Sequence, residues 1–413
     1  MYAFVRLPIE VRRESNPMAI QGDLDLYDND PSDEGIDDIS LGSEGLRNAV
    51  LYNTDWTVET VLNQISKGTI DLAPSFQRRD AWSLEVKSLF IESILLNFPV
   101  PSITLAETGS SKKFIVVDGK QRLSTLAQFF GNLPSSKFDK FKLRGLEDLR
   151  HLNSMDFDAI CEFDPDLITQ LENYTIRTNV IRGWKDDDVL YSIFYRLNSK
   201  TVKLSSQELR QSLHPGPYTV WLNEYAPDSF ALRKLFPGPE PDFRLRDMEI
   251  LARYLAFYFF VEDYSGNLKK FIDKSFSVLN RDWVSMQSRV QDAAVEFEES
   301  YALSTQIFSE SLPFRKWNGD GWENRFNRAI FDAVMYSLKK SDDRRKISEN
   351  CDVVLSLFKE VCLDPDFRGS IERTTKTTTA LVMRTNKWCE SLKSIGIECS
   401  LLRLYGRRIV FEK

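Results

Sequence analysis

The chain has 413 residues, 42% hydrophobic and 28% charged, with a formal net charge of −7. That length suffices for two or three domains with ordinary cores, and the acidic balance excludes a protein that coats nucleic acid nonspecifically, though not one with a local basic site. The five cysteines are widely spaced, and His151 and His214 are the sole histidines, so a disulfide framework, a zinc module and histidine-metal nuclease chemistry are all set aside.

Residues 1–9 lack a basic segment followed by an apolar core, and the most apolar stretch, 251–261, contains Arg253 and is too short to cross a bilayer. A cytoplasmic location with no membrane partner is expected. Residues 1–49 read as an N-terminal arm. Within it Asp23, Asp25, Asp28, Asp30, Asp33, Glu34, Asp37, Asp38 and Glu44 fall among Gly, Ser and Pro, a flexible acidic stretch that is either a partner-binding polyanion mimic or a solvated linker.

Thr54 and Asp55 predict a helix over 56–65, followed by a short extended piece at 70–72. Ser83 is positioned to cap a helix over 84–98, with Leu84, Ile91, Ile94, Leu95 and Phe98 on one broad face and Pro99 and Pro101 ending it. Residues 102–106 and 113–117 predict a hairpin. Its second strand runs into Asp118-Gly119-Lys120-Gln121-Arg122, and Leu123, Leu126, Ala127 and Phe130 then recur at helical spacing up to Gly131.

That strand, glycine turn and helix define the candidate site. A glycine there lets a ligand approach the backbone, the first helical amides point outward, and Lys120 and Arg122 add positive charge. A phosphate or other anion site is expected. The bland alternative has Asp118 capping the helix and Arg122 paired with a structural carboxylate. Asp118-x-Lys120 after a strand also imitates half of a magnesium nuclease motif, but no persuasive upstream acid accompanies it.

Residues 174–182 predict another strand, and Asp186, Asp187 and Asp188 form an acidic first turn for a helix carrying Val189, Leu190, Ile193, Phe194 and Leu197. Ser205-x-x-Glu208 reads as a capping box, and Pro215-Gly216-Pro217 closes the segment. Beyond 217 the periods are long and helical, over 246–260, 268–276, 284–312, 324–338, 346–362 and 371–395, with a short strand at 401–411. Arg368, Arg373, Lys376, Arg384, Lys387, Lys393, Arg403, Arg407 and Arg408 make this end basic, either a nucleic-acid surface or a solvated helix face.

The assembled motifs resemble the N-terminal domain of the GmrSD-type restriction enzymes, within the ParB and sulfiredoxin-like superfamily of prokaryotic defence systems. The resemblance rests on Asp71 to Arg79 with Trp82 and Lys87, Ile91-Glu92-Ser93-Ile94-Leu95-Leu96, Pro99-Val100-Pro101, Val117 to Leu126, Phe194-Tyr195-Arg196-Leu197-Asn198, and Leu204 to Arg210. Trp322-Glu323-Asn324-Arg325-Phe326-Asn327 looks like the helical region often attached. The family pattern is Asp-Gly-Gln-Gln-Arg, and Lys120 replaces its third residue.

The resemblance implies an α+β fold, with a ParB/sulfiredoxin-like α/β domain over 50–217 followed by an all-helical domain over 218–413. It implies a nucleoside triphosphate of unknown base, with Mg2+, bound at the turn and hydrolysed there, coupled to DNA recognition or a partner nuclease. Asp118, Gln121 and Arg122 are the implied catalytic residues, and Asp118 the metal ligand. Gly119, Lys120, Ser124, Gln77, Arg78, Asn198 and Gln207 are the implied nucleotide contacts. Two-domain relatives end in a histidine-metal nuclease domain whose motif this sequence lacks, so a stand-alone member is expected. A non-catalytic nucleotide-binding regulator or antitoxin-like partner and a direct Mg2+ nuclease are the alternatives.

Overall fold

The computed structural model describes residues 49–72, 82–108, 112–131, 140–184, 187–197, 206–238, 242, 245–309, 312–339, 341–373, 375–406 and 408–412. The acidic stretch, Ser205, and the predicted contacts Gln77, Arg78 and Asn198 lie outside these residues.

β1 (Val50–Thr57) is an edge strand. It takes in Trp56, which the sequence reading placed in a helix. Trp56 lies opposite Ile176 of β5, and its aromatic ring suits a pleated surface. Thr57 is the residue that turns the chain: its hydroxyl accepts from the Thr60 amide at 3.2 Å and starts α1 (Val58–Ser66). After β2 (Ile70–Asp71), Ser83 caps α2 (Leu84–Leu95), which stops a turn earlier than Pro99 suggested. Next come β3 (Ile103–Glu107), β4 (Phe114–Asp118), α3 (Lys120–Phe130), α4 (Phe157–Phe163), α5 (Pro165–Asn173), β5 (Thr175–Arg182), α6 (Asp187–Leu197) and α7 (Ser206–Leu213).

The strands form one mixed sheet of order β1-β5-β3-β4-β2, in which β3 and β4 make the expected antiparallel hairpin and β3 runs parallel to β5. β3 and β4 are covered on both faces, which is why both read as apolar runs rather than alternating patterns. Ile103, Leu105, Val116, Leu123, Leu126 and Val180 belong to the larger core, beside α1, α2, α3 and α5. Ala106, Ile115, Val117 and Ile181 pack with Leu190, Tyr191 and Leu209 of α6 and α7. Glu92 is buried on α2, and its carboxylate accepts from three successive amides, Glu147 at 3.1 Å, Asp148 at 2.9 Å and Leu149 at 2.7 Å.

The remainder is helical around one large apolar core: α8 (Pro217–Tyr225), α9 (Phe230–Leu235), α10 (Arg246–Phe260), α11 (Leu268–Arg281), α12 (Trp283–Ile307), α13 (Arg328–Ser337), α14 (Ser341–Ser348), α15 (Cys351–Leu363), α16 (Pro365–Glu372) and α17 (Thr378–Leu392). The α+β class is thus observed, with two antiparallel ribbons added to the helical part: β6 (Arg315–Trp317) with β7 (Trp322–Phe326), and β8 (Leu402–Tyr405) with β9 (Arg408–Phe411). The helix expected over 324–338 begins as β7, because Trp322 stays in the ribbon against Trp317, 5.3 Å between ring centroids, and Asn327 then caps α13 through the Ile330 amide at 2.9 Å. The periods over 346–362 and 371–395 are each interrupted. Thr377, for instance, caps α17 through the Ala380 amide at 3.1 Å.

α6 and α7 are bonded to α11 through buried charge. Arg210 Nε donates to Asp273 Oδ1 at 2.6 Å, and Lys269 Nζ donates to Asp188 Oδ1 at 2.8 Å and to Asp273 Oδ2 at 3.0 Å.

Candidate functional site at the β4 to α3 turn

The site begins with a register irregularity. Leu105 lies opposite Val116, but Thr104 lies opposite Asp118, so a bulge between Thr104 and Leu105 re-aims the end of β4. Gly119 then turns the chain at φ 94°, a left-handed value that favours glycine. A Cβ here would meet Ile103 Cγ2 at 2.6 Å and Arg122 Nη2 at 3.1 Å, so the position is closed to larger residues by space as well as by backbone angle.

Among the described residues no side chain caps the start of α3, and its first turn holds no acidic residue while carrying Lys120 and Arg122. The alternative in which Asp118 caps this helix is therefore not what forms. Arg122 does take a carboxylate, but it is that of Asp118: Nη2 donates to Asp118 Oδ2 at 3.0 Å and to the Ser102 carbonyl at 3.0 Å. Cations at a helix N-terminus oppose the macrodipole. With the uncapped amides they form a locus that gains from an incoming anion.

Two polar atoms sharpen this. Arg122 Nε and Gln121 Oε1 are both buried without a hydrogen-bond partner among the described residues, a condition that costs free energy until a ligand or water supplies the bond. Arg122 Nε offers a donor, and Gln121 Oε1 an acceptor. The Gln121 carbonyl and backbone are held in place, since Thr125, fully buried, donates its hydroxyl to the Gln121 carbonyl at 2.8 Å. Ser124 follows one turn into α3 and is half-buried.

The sheet contributes a polar wall absent from the sequence reading. Asn179 of β5 donates through Nδ2 to Ser102 Oγ at 3.1 Å and to Thr104 Oγ1 at 3.4 Å. Ser102 also receives Arg122 through its carbonyl, and Thr104 faces Asp118 across the ladder. Ser102, Thr104 and Asn179 thus support the turn. They are joined through strand register across more than seventy residues of sequence, and Thr104 between the apolar Ile103 and Leu105 is the local signal.

Other predicted residues go elsewhere. Gln207 is fully buried on α7 and accepts from Arg210 Nη1 at 2.8 Å, which places it in the charge network against α11, with its own Nε2 buried and without a hydrogen-bond partner. Lys87 is buried and donates to Gln128 Oε1 at 2.8 Å, a structural bond between α2 and α3. Trp82 meets Phe90 edge to face at 5.5 Å and anchors the core. In the basic C-terminal stretch, Arg384 is buried against Asp332, Arg368 pairs with Glu372 at 2.9 Å, and Lys387 pairs with Asp364 at 2.8 Å. Those three charges are balanced where they stand.

Among the described residues no group of three His, Cys, Asp or Glu side chains converges as a metal site. Asp118 as a lone carboxylate suits a Mg2+ shared with phosphate oxygens, and does not suit a cage built of protein ligands. The two-acid nuclease motif gains no partner from this geometry. No helix among the described residues is long and apolar enough to cross a membrane.

In comparison with known proteins, residues 58–215 match the model of the GmrSD restriction endonuclease, N-terminal domain. No curated protein and no solved structure matches the chain. The matched segment runs from the start of α1 to just past α7 and contains the whole Asp118–Arg122 turn. Over those residues the chain is similar to the GmrSD restriction endonuclease N-terminal domain family.

Proposed function

We propose that this is a restriction-type defence protein whose Asp118–Arg122 turn binds a nucleoside triphosphate and hydrolyses it, coupling that state to DNA recognition or to a partner nuclease. The observation that carries the reading is the uncapped start of α3, with two cations, no first-turn carboxylate, and Arg122 Nε and Gln121 Oε1 buried without partners. The family match supports the restriction-type role.

In this reading Arg122 donates from Nε to a phosphate oxygen while Nη2 keeps its bonds to Asp118 and Ser102. Lys120 adds a point charge, and the first amides of α3 complete the cradle. Gln121 Oε1 accepts a hydrogen bond from the attacking water and orients it toward phosphorus. Asp118, whose Oδ2 is held by Arg122, presents Oδ1 to Mg2+. When bound, Mg2+ neutralises charge on the phosphate chain. Asn179 acts at one remove, by fixing the Ser102 and Thr104 hydroxyls beside the turn.

The test is phosphate release by the purified chain with each common nucleoside triphosphate and Mg2+, with and without DNA. Asp118→Asn and Gln121→Ala are expected to lower turnover by about 100-fold, the usual scale for losing one positioned polar group. Arg122→Lys should weaken binding as well, because lysine cannot reproduce two directional donors. Binding without turnover in the wild type would favour a non-catalytic regulator. Neither binding nor turnover in the folded protein would overturn the proposal.

A further inference from the structure

A second site lies far along the chain, in the helical region. Between α10, α12, the end of α13 and the β8–β9 ribbon is a cavity of about 590 Å³, within the range of small-molecule sites. Its exposed rim includes Asp342 and Phe411. Tyr258, Tyr336, Glu296 and Lys339 line its wall.

Lys339 is the residue that needs explaining. Its Nζ lies 4.2 Å from the centroid of the Tyr336 ring and 5.4 Å from that of Tyr258, so two aromatic faces flank the amine. Both rings are themselves fixed. Tyr258 donates its hydroxyl to Glu296 Oε2 at 3.1 Å, and Tyr336 donates to the Ser400 carbonyl at 2.7 Å. No described residue accepts a hydrogen bond from Lys339 Nζ or lies within ion-pair distance of it, in contrast to Lys269, which has two carboxylates. Desolvation brings the amine down to about 8, despite the nearby Glu296. Its neutral, nucleophilic form is therefore far more populated near neutral pH than that of a solvated lysine.

The lining also says what does not belong here. Glu296, Asp342 and Asp343 disfavour an anionic ligand, and the aromatic walls favour a flat, uncharged one. We propose that this cavity binds a small uncharged aldehyde or ketone and that Lys339 adds to its carbonyl carbon. The amine lone pair forms the C–N bond as the carbonyl oxygen takes up a proton. Loss of a proton from nitrogen and of that oxygen as water then gives the imine, so that one carbonyl compound and one amine yield one imine and one water. Glu296, held by Tyr258 on the same wall but beyond ion-pair distance of Nζ, relays the proton between nitrogen and the departing oxygen through water.

The experiment uses the full chain and 4-pyridinecarboxaldehyde as probe, with cyanoborohydride to trap the imine at pH 7.5 and peptide mapping to read each lysine. Lys339 should be modified at least about tenfold faster than the exposed lysines, in line with its lower pKa, and its rate should saturate with aldehyde concentration. Glu296→Gln should slow trapping at Lys339 while leaving the other lysines unchanged. Labelling of Lys339 at or below the rate of exposed lysines would overturn the proposal, as would a rate linear in aldehyde, which marks reactivity without a binding site. Lys339→Met, checked for folding by its thermal unfolding transition, should abolish the saturable component alone.

Discussion

Gly119 carries two constraints at once, a left-handed backbone and a neighbour at 2.6 Å from any added Cβ. Gly119→Ala is expected to destabilise the chain by about 1–2 kcal/mol from the backbone term alone, with the Ile103 contact adding to it. Urea unfolding checks this, and an unchanged midpoint would show that the turn relaxes freely. The Asp-Gly-x-Gln-Arg residues were legible because strand, glycine and helix are local signals. Ser102, Thr104 and Asn179 were not, because only the parallel pairing of β3 with β5 brings them beside the turn. The sequence also left the partner of Arg122 open, and the geometry assigns it to Asp118, four residues away on the same turn.

At the level of elements, most helices and the hairpin follow from capping and periodicity, and the departures have local causes. Trp56 sits where strand and helix patterns overlap, and pairing with β5 decides for the strand. Long apolar periods hide breaks, as between α14 and α15, because a buried face continues across the interruption. The end of α7 has a measurable signature. Burial holds His214 below its ordinary pKa, the nearby Asp273 notwithstanding, and its Nε2 has no hydrogen-bond partner. The folded state thus binds fewer protons at this ring than the unfolded chain does, so stability rises with pH across the window just below the unfolded value of about 6.5. Acidification from pH 7 to 5 should lower the denaturant midpoint, and His214→Gln should flatten that slope. An equal slope in the variant would place the titration elsewhere.

Across the whole molecule, the matched α/β part and the helical part are joined by Arg210, Asp273, Lys269 and Asp188, all buried. Burial raises the Asp273 carboxyl, but Arg210 and Lys269 outweigh it and hold the group below its ordinary value. Removing it takes the carboxylate from buried Arg210 and leaves Lys269 with Asp188, so Asp273→Ala should cost about 3–5 kcal/mol. Differential scanning calorimetry is the check: loss of a shared transition in the variant would show that this network couples the two parts, and a small uniform shift would show that it does not. Asp273→Asn, which keeps shape but not charge, separates packing from electrostatics. Glu92 bears on the same molecule from another side. Its carboxylate already occupies the amides of residues 147–149, so the protein carries a built-in competitor for that cluster, whereas among the described residues no side chain caps the first amides of α3. An inorganic phosphate titration followed by amide NMR should therefore perturb residues 120–122 while residues 147–149 stay silent, and Glu92→Ala should make the silent loop respond.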